Sequence, residues 1–249
     1  MYIFRKIVFF IASFSALFIF MRLFHIIPTR ILQVNLGGIS WLYSTITLIF
    51  SIISAFVIQN QWNRWTNLEI AVKGEIDALW ELIIFTEQLS SQIRKKVKES
   101  IKIYIQKVSE EDWRKIEKDL YPKDIEIALR RIQRDLIVLG KRKETEREMA
   151  RSIFLEIISN RNDRLHYSTG GLPFLLYTLI LVATIMVIFF SLFIAIDNFI
   201  IDYIFTTSIG LLGILIFTII DDLNNPFRPG SWHITSKKYS NLLGKINNA

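Results

Sequence analysis

The segment Leu36–Gln61, LGGISWLYSTITLIFSIISAFVIQNQ, decides how the chain is read. No charged residue interrupts the sequence between Arg30 and Arg64. That run exceeds the roughly 20 apolar residues with which a helix spans a bilayer. Within it Ser40, Ser44, Thr47, Ser51 and Ser54 recur at steps of four and three, a spacing that puts them on one helix face. Ile46, Leu48, Ile49, Phe50, Ile52, Ile53, Phe56 and Val57 occupy the other faces. The hydroxyl stripe has two readings. Small residues let helices approach closely in a membrane, and their hydroxyls can bond back to their own helix carbonyls. Alternatively, the stripe lines a polar path. The segment then passes through Gln59-Asn60-Gln61-Trp62 into a long polar block without a break signal.

Composition sets the frame around this segment. The chain has 249 residues, of which 51% are hydrophobic and 21% charged, so apolar spans sit beside a strongly polar block. There is no cysteine, which excludes disulfides and thiolate metal or redox sites. The net charge of +7 fits basic loops and anionic lipid better than nucleic acid.

Three further apolar runs complete the membrane part. Ile7–Met21 follows Arg5 and Lys6 and is short for a span. A signal peptide is the competing reading, but no clear small-residue cleavage site follows. We read an uncleaved helix, with Arg22 reaching to the interface and Pro28 ending it. Pro173, at the first turn, opens a third run. The fourth is bounded by Asp202 and by Asp221-Asp222, and Gly210 and Gly213 within it permit a close neighbour. The spacing therefore predicts an all-α membrane protein with four transmembrane helices, at about 5–27, 36–60, 172–196 and 203–220. A helical domain at about 61–171 and a tail at about 221–249 complete one domain spanning the chain. Arg5, Lys6, Arg64, Arg161, Arg164, Arg228, Lys237 and Lys238 flank the spans on one side, while the opposite loops hold Arg30 and Asp197 with Asp202. The positive-inside rule makes the first side cytoplasmic, with both termini and the central domain there. The expected location is a bacterial inner membrane.

The polar block reads as helix nearly throughout. Ile76, Leu79, Ile83, Ile93, Val97, Ile101, Tyr104 and Val108 form an apolar seam, with Thr86 and Ser90 at its missing positions. One helix of this extent, about 45 residues, would reach roughly 70 Å. Ser109 is the expected N-cap of the next helix, with Asp112 at the capping-box position. After Tyr121-Pro122 a second long helix carries Leu129, Ile132, Leu136 and Leu139 on one face. Its middle, Lys141–Glu148, is a solvated charge run with local support from Arg142–Glu146 and Lys143–Glu146.

Residues that could carry chemistry are few. His25, His166 and His233 lack ligand spacing, and no phosphate loop or nucleophile–base arrangement is visible. Neither a metal nor a cofactor is expected, and the chain does not read as an enzyme. Asp221 and Asp222 form a polar cluster at a membrane boundary. Arg161 and Arg164 share a helix face just before the third span, and the expected structural clamp pairs them with Asp221 or Asp222. Glu75, near the seam, is either a solvated charge or the partner of an arginine from the second central helix or the pre-span pair.

Three stretches together carry a family likeness. The first holds Ala71-Val72, Glu75, Ala78-Leu79, Tyr104 and Trp113. The second is Arg161-Asn162-Asp163-Arg164-Leu165 with Ser168, Leu172 and Pro173. The third is Asp221-Asp222-Leu223 with Pro226-Phe227 and Gly230. This combination resembles the bestrophin-like family of bacterial and plant membrane proteins. The resemblance implies an oligomeric ion channel with its pore along the second helix, in bestrophins usually a pentamer. The acidic run that forms the calcium clasp in animal bestrophins is missing, so calcium gating is not implied.

Two functions follow as expectations. One is an ion channel, with Ile46, Ile49, Phe50, Ile53 and Val57 as an apolar constriction and the hydroxyl stripe as the other candidate lining. The alternative is a non-conducting scaffold whose cytoplasmic hairpin binds a protein. The central block carries 22 Lys and Arg against 19 Asp and Glu, a slight tilt toward anions that Asp221-Asp222 opposes. The expected partners are membrane lipid, inorganic ions and further copies of the chain in a closed ring.

Overall fold

In the computed structural model the described residues are 2–24, 36–110, 113, 123–137, 144–194, 196 and 198–248. Among them every regular element is a helix. In chain order these are α1 (Tyr2–Leu23), α2 (Leu36–Thr86), α3 (Ser91–Glu110), α4 (Lys123–Ile137), α5 (Glu144–Thr169), α6 (Phe174–Ser191), α7 (Phe199–Asn224) and α8 (Lys237–Asn248).

The longest element is α2, with 51 residues. At 1.5 Å per residue it extends about 76 Å. No proline interrupts it, and no glycine lies between Gly38 and Gly74. It stops at Thr86 in a tight turn. There Glu87, Gln88 and Leu89 donate to the carbonyls of Ile84, Phe85 and Thr86 at 3.0, 3.1 and 3.1 Å, the three-residue closure of a helix end. Arg94 covers the freed carbonyls, donating to Glu87 O at 2.8 Å and Leu89 O at 3.3 Å, where a cation suits the helix dipole. This turn corrects the single amphipathic helix expected through Val108. Ile76, Leu79 and Ile83 belong to α2, whereas Ile93, Val97, Ile101, Tyr104 and Val108 belong to α3. Both helices bury the same kind of seam, so the periodicity runs through a break that Thr86 and Ser90 occupy.

Two other boundaries differ from expectation. Ser109 lies in the last turn of α3 and donates to Gln106 O at 2.8 Å, so it caps no helix start; Asp112 falls outside the described residues. The second central helix is described as two, α4 and α5. Leu139, Lys141, Arg142 and Lys143, with the pairs proposed for them, lie outside the described residues.

The chain divides into two units. The apolar unit comprises residues 1–62, 172–225 and 229–232. Here α1 lies against α7. Phe10 and Phe14 approach Gly210, where an added Cβ would meet their rings at 3.3 Å. Ser15 Oγ and the Tyr203 hydroxyl are 2.7 Å apart, and Phe18 packs edge-on against Tyr203. Helices α6 and α7 form a hairpin with Ile188 against Gly213. Asn198 caps α7 by accepting from Ile200 N at 3.0 Å and Ile201 N at 3.2 Å. Val57 of α2 joins Ile180 of α6 and Ile220 of α7 in a buried cluster.

Among the described residues three helices, α2, α6 and α7, are long and apolar enough to cross a membrane, where four had been expected. The apolar part of α1, Val8–Leu23, is shorter, because Arg5 and Lys6 precede it and the described helix ends at Leu23.

The polar unit comprises residues 63–171, 226–228 and 233–249. Its core draws Leu68, Val72 and Leu79 from α2, Ile101 and Ile105 from α3, Ile132 from α4, Ile157 from α5, and Tyr239 and Ile246 from α8. The tail is thus part of this core. Ser236 Oγ pins it by donating to Ser109 O at 2.9 Å, and Lys238 Nζ meets Glu69 Oε1 at 3.2 Å.

Candidate functional site

Along the membrane part of α2, one arc is covered by its own unit and one is not. Phe50 (4% exposed), Ser54 (2%) and Val57 (0%) are buried. Ile46, Thr47 and Ile53 are half-buried. Ser40, Ser44, Ile49 and Ser51 are exposed. The hydroxyl stripe therefore straddles the border between the arcs. Two of its exposed members bond back to their own helix: Ser44 Oγ donates to Ser40 O and Ser51 Oγ to Thr47 O, both at 2.8 Å. The expected apolar set is divided as well, since Phe50 and Val57 are used in internal packing. Beside Ser44 and Ser51 the exposed arc presents a row that sequence reasoning had not singled out. Leu48, Ile52 and Phe56 are 61%, 62% and 68% exposed and recur every fourth residue. Their periodicity alone could not separate them from the buried set; only the packing of α6 and α7 does.

In the polar unit, Glu75 is not a solvated charge. It is fully buried and receives Arg164 Nε on Oε2 at 2.8 Å and the Tyr104 hydroxyl on Oε1 at 2.6 Å. The guanidinium carbon lies 5.3 Å from the Trp113 ring and 5.8 Å from the Tyr239 ring, within reach of cation–π attraction. Burial alone would lower the Arg164 pKa, but the Glu75 carboxylate and the two phenols hold it well above its ordinary value. Burial pushes the Tyr104 and Tyr239 phenols well up, and the Glu75 charge adds to it. All four partners of Arg164 come from different segments: α2, α3, the stretch at Trp113, and α8.

The clamp expected between the pre-span arginines and Asp221 or Asp222 is replaced by pairs inside the polar unit. Arg164 takes Glu75, and Arg161 Nη2 meets Glu126 Oε2 at 3.1 Å. The two aspartates are occupied otherwise. Asp221 Oδ1 accepts from the Tyr177 hydroxyl and from Asn225 Nδ2, each at 3.2 Å. Asp222 Oδ2 accepts from Ser231 N at 3.1 Å and sits so close to Gly230 that a Cβ there would lie 2.9 Å from its oxygens. Any side chain at position 230 would have to displace that carboxylate. Sequence reasoning missed the ion pair that joins α1 to α7. Arg22 Nη2 lies 2.6 Å from Asp202 Oδ2, and Asp202 is nearly closed off from solvent. Both residues had been read only as flanking charges. Among the described residues no three His, Asp or Glu side chains gather as a metal site.

No curated protein matches the chain in sequence. Solved structures match it in fold. A point variant of a bacterial bestrophin homolog from Klebsiella pneumoniae superposes with a TM-score of 0.78 at 11% identity, covering 98% of both chains. A second variant of that homolog gives 0.77 at 11% identity, covering 98% of this chain and 97% of the other. A structure described only as a membrane protein gives 0.77 at 11% identity, covering 98% of both chains. The family model for the bestrophin-like domain matches residues 8–237, nearly the whole chain; the protein is therefore a member of the bestrophin-like family.

Proposed function

We propose that the protein is an oligomeric ion channel of the bestrophin-like type, with α2 nearest the axis. The observation that carries this reading is the uncovered arc of α2. A spanning helix whose apolar row Leu48, Ile52 and Phe56 runs beside Ser44 and Ser51 has two surfaces to offer. The apolar row suits a constriction that gates by dewetting, and the small hydroxylated edge suits close approach of a neighbouring copy. Exposed Ser40 and Ile49 extend that lining, with Ile46, Thr47 and Ile53 at its margin; Phe50, Ser54 and Val57 support it from behind. Closed cyclic symmetry is the common arrangement for such copies, and the family likeness favours five.

The first helix counts as a fourth crossing in this reading. Its 22 residues reach about 33 Å, close to the roughly 30 Å hydrocarbon core, and its packing along α7 from Gly210 to Asp202 supports it. Four crossings place both termini and the polar unit on the side where the flanking basic residues concentrate, the cytoplasm of a bacterial cell. The buried Glu75–Arg164 pair and the Asp221 and Asp222 contacts serve as structural clamps. The basic excess of the whole central block gives, taken alone, a slight tilt toward anions.

Planar-bilayer recording of purified protein tests the reading. Discrete unitary currents are expected; their absence across varied salt and pH favours the scaffold alternative. One observation supports that alternative, an open groove of about 640 Å³ between α4 and α5, lined by Leu136, Phe154 and Ile158 with Arg147 and Arg151.

A further inference from the structure

Helices α4 and α5 of the polar unit leave a groove between them, about 640 Å³ in volume. That lies within the roughly 300–1,000 Å³ common among small-ligand sites. Leu136, Ile137, Ala150, Phe154, Leu155 and Ile158 supply its apolar lining. Ile137 is 70% and Leu155 52% exposed, so apolar surface stands open at its lip. Among the described lining residues Gln133 alone is polar and uncharged. Such a wall offers few hydrogen bonds to a sugar or a nucleotide base, and it suits an alkyl chain. Charge is confined to the ends. Along α5 the lining begins with Arg147 and Arg151, one turn apart, and continues with Phe154, Leu155 and Ile158. Glu144 Oε1 at 2.6 Å and Glu148 Oε1 at 3.7 Å neutralise Arg147. Arg151 is exposed, and among the described residues no carboxylate pairs with it. At the other end a cavity of about 440 Å³ shares Gln133, Phe154 and Ile158 with the groove. Its two arginines, Arg130 and Arg161, are engaged by Glu126 at 3.2 and 3.1 Å.

We infer that this groove binds a long-chain carboxylate, its head at Arg151 and its alkyl chain along Leu136, Phe154 and Ile158. A guanidinium presents two parallel donors that match a carboxylate, and Arg151 is the lining arginine whose charge is uncompensated. The chain gains by leaving water for the apolar wall. From Arg151 to Asn162, where the second cavity ends, α5 advances roughly 16 Å, the length of an extended chain of about 13 carbons. Three helical turns of groove are short of the surface that a stable protein interface covers, above about 1,000 Å². Every recognition element lies in the polar unit, so the site is independent of conduction.

Site-resolved photolabelling of the full-length protein in detergent tests the inference. The probe is palmitate carrying a diazirine near its methyl end, and peptide mass spectrometry locates the adducts. Adducts are expected within Leu129–Leu136 or Phe154–Asn162, removed by excess palmitate and not by its methyl ester. Arg151→Gln and Leu155→Ser change exposed positions, and each is expected to cut this labelling about tenfold. Arg131→Gln, at an exposed position outside the lining, is expected to leave it unchanged. Probe that merely partitions onto α6 and α7 labels them equally in every variant and serves as the internal standard. An unchanged gel-filtration profile checks that the variants fold. Adducts on α6 and α7 alone overturn the inference. So does groove labelling that survives Arg151→Gln or that the methyl ester competes away as well as palmitate does.

Discussion

Arg164 Nε lies 2.8 Å from Glu75 Oε2, with the two side chains 1% and 0% exposed. A buried pair of this kind is costly to break, because the surviving partner is left charged without compensation. Glu75→Gln and Arg164→Met are each expected to destabilise the polar unit by about 3–5 kcal/mol. The double variant should be less damaged than the sum of the two. Tyr104→Phe removes one hydrogen bond to a charged acceptor, a loss of about 1.5–3 kcal/mol. Thermal unfolding in detergent, followed by circular dichroism, measures all four. Single variants that melt within a degree of the wild type would contradict the burial of the pair.

The same cluster gives a pH dependence with a definite sign. The Tyr104 and Tyr239 phenols have folded pKa values raised above the unfolded value near 10. Folding thus favours their protonated forms. Their contribution is fully present below about pH 10 and is lost as pH rises through the folded values. The melting temperature should therefore be insensitive to these groups from neutral pH to about 10 and fall beyond it. Replacing both tyrosines by phenylalanine should flatten that alkaline fall. An identical alkaline decline in the double variant would contradict the assignment.

Arg22 and Asp202 tie α1 to the start of α7. Asp202→Asn leaves the guanidinium with a weaker acceptor in a nearly closed site, and Gly210→Leu drives bulk into Phe10 and Phe14. Each change is expected to loosen α1 while leaving the α6–α7 hairpin in place. Hydrogen exchange resolved by peptide should show faster exchange across Phe10–Arg22 and little change across Phe174–Ser191. Uniform exchange across both segments would argue against the tie.

Ser44 and Ser51 occupy the small edge of the uncovered arc. Leucine at both positions is expected to push neighbouring copies apart, weakening assembly or conduction. Light scattering of the detergent-solubilised protein gives the number of chains per particle. A wild-type particle holding one chain, with its polar unit folded, would exclude the cyclic assembly.

The spans in α2, α6 and α7 and the helical class were legible because apolar run length and 3.6-residue periodicity act locally. The run from Leu36 to Ile58 and the seam from Ile76 to Val108 are of this kind. The turn at Glu87–Ser90 was hidden because Thr86 and Ser90 fall on the seam's own spacing, so the pattern continues across the break. Glu75 was recognised as a residue to watch, but its burial depends on Arg164, Tyr104 and Tyr239, which the chain brings from distant segments. The lining of α2 was legible only as a helix with several faces. Rotation is set by which face Ile180 and Ile220 cover, and that information lies in other helices. Arg22 and Asp202 read as boundary charges for the same reason.

Cysteine substitution shows directly whether the uncovered arc of α2 lines a conducting path. The natural chain has no cysteine, so single cysteines placed along α2 report without background. Recording in planar bilayers while a charged thiol reagent is added is the direct measurement. Unitary currents are expected from the parent protein, with block or reduction of current when cysteine replaces Ile52 or Phe56 and no effect when it replaces Phe50 or Val57. Currents altered only through Phe50 and Val57, or no currents from any of these proteins, would contradict that lining.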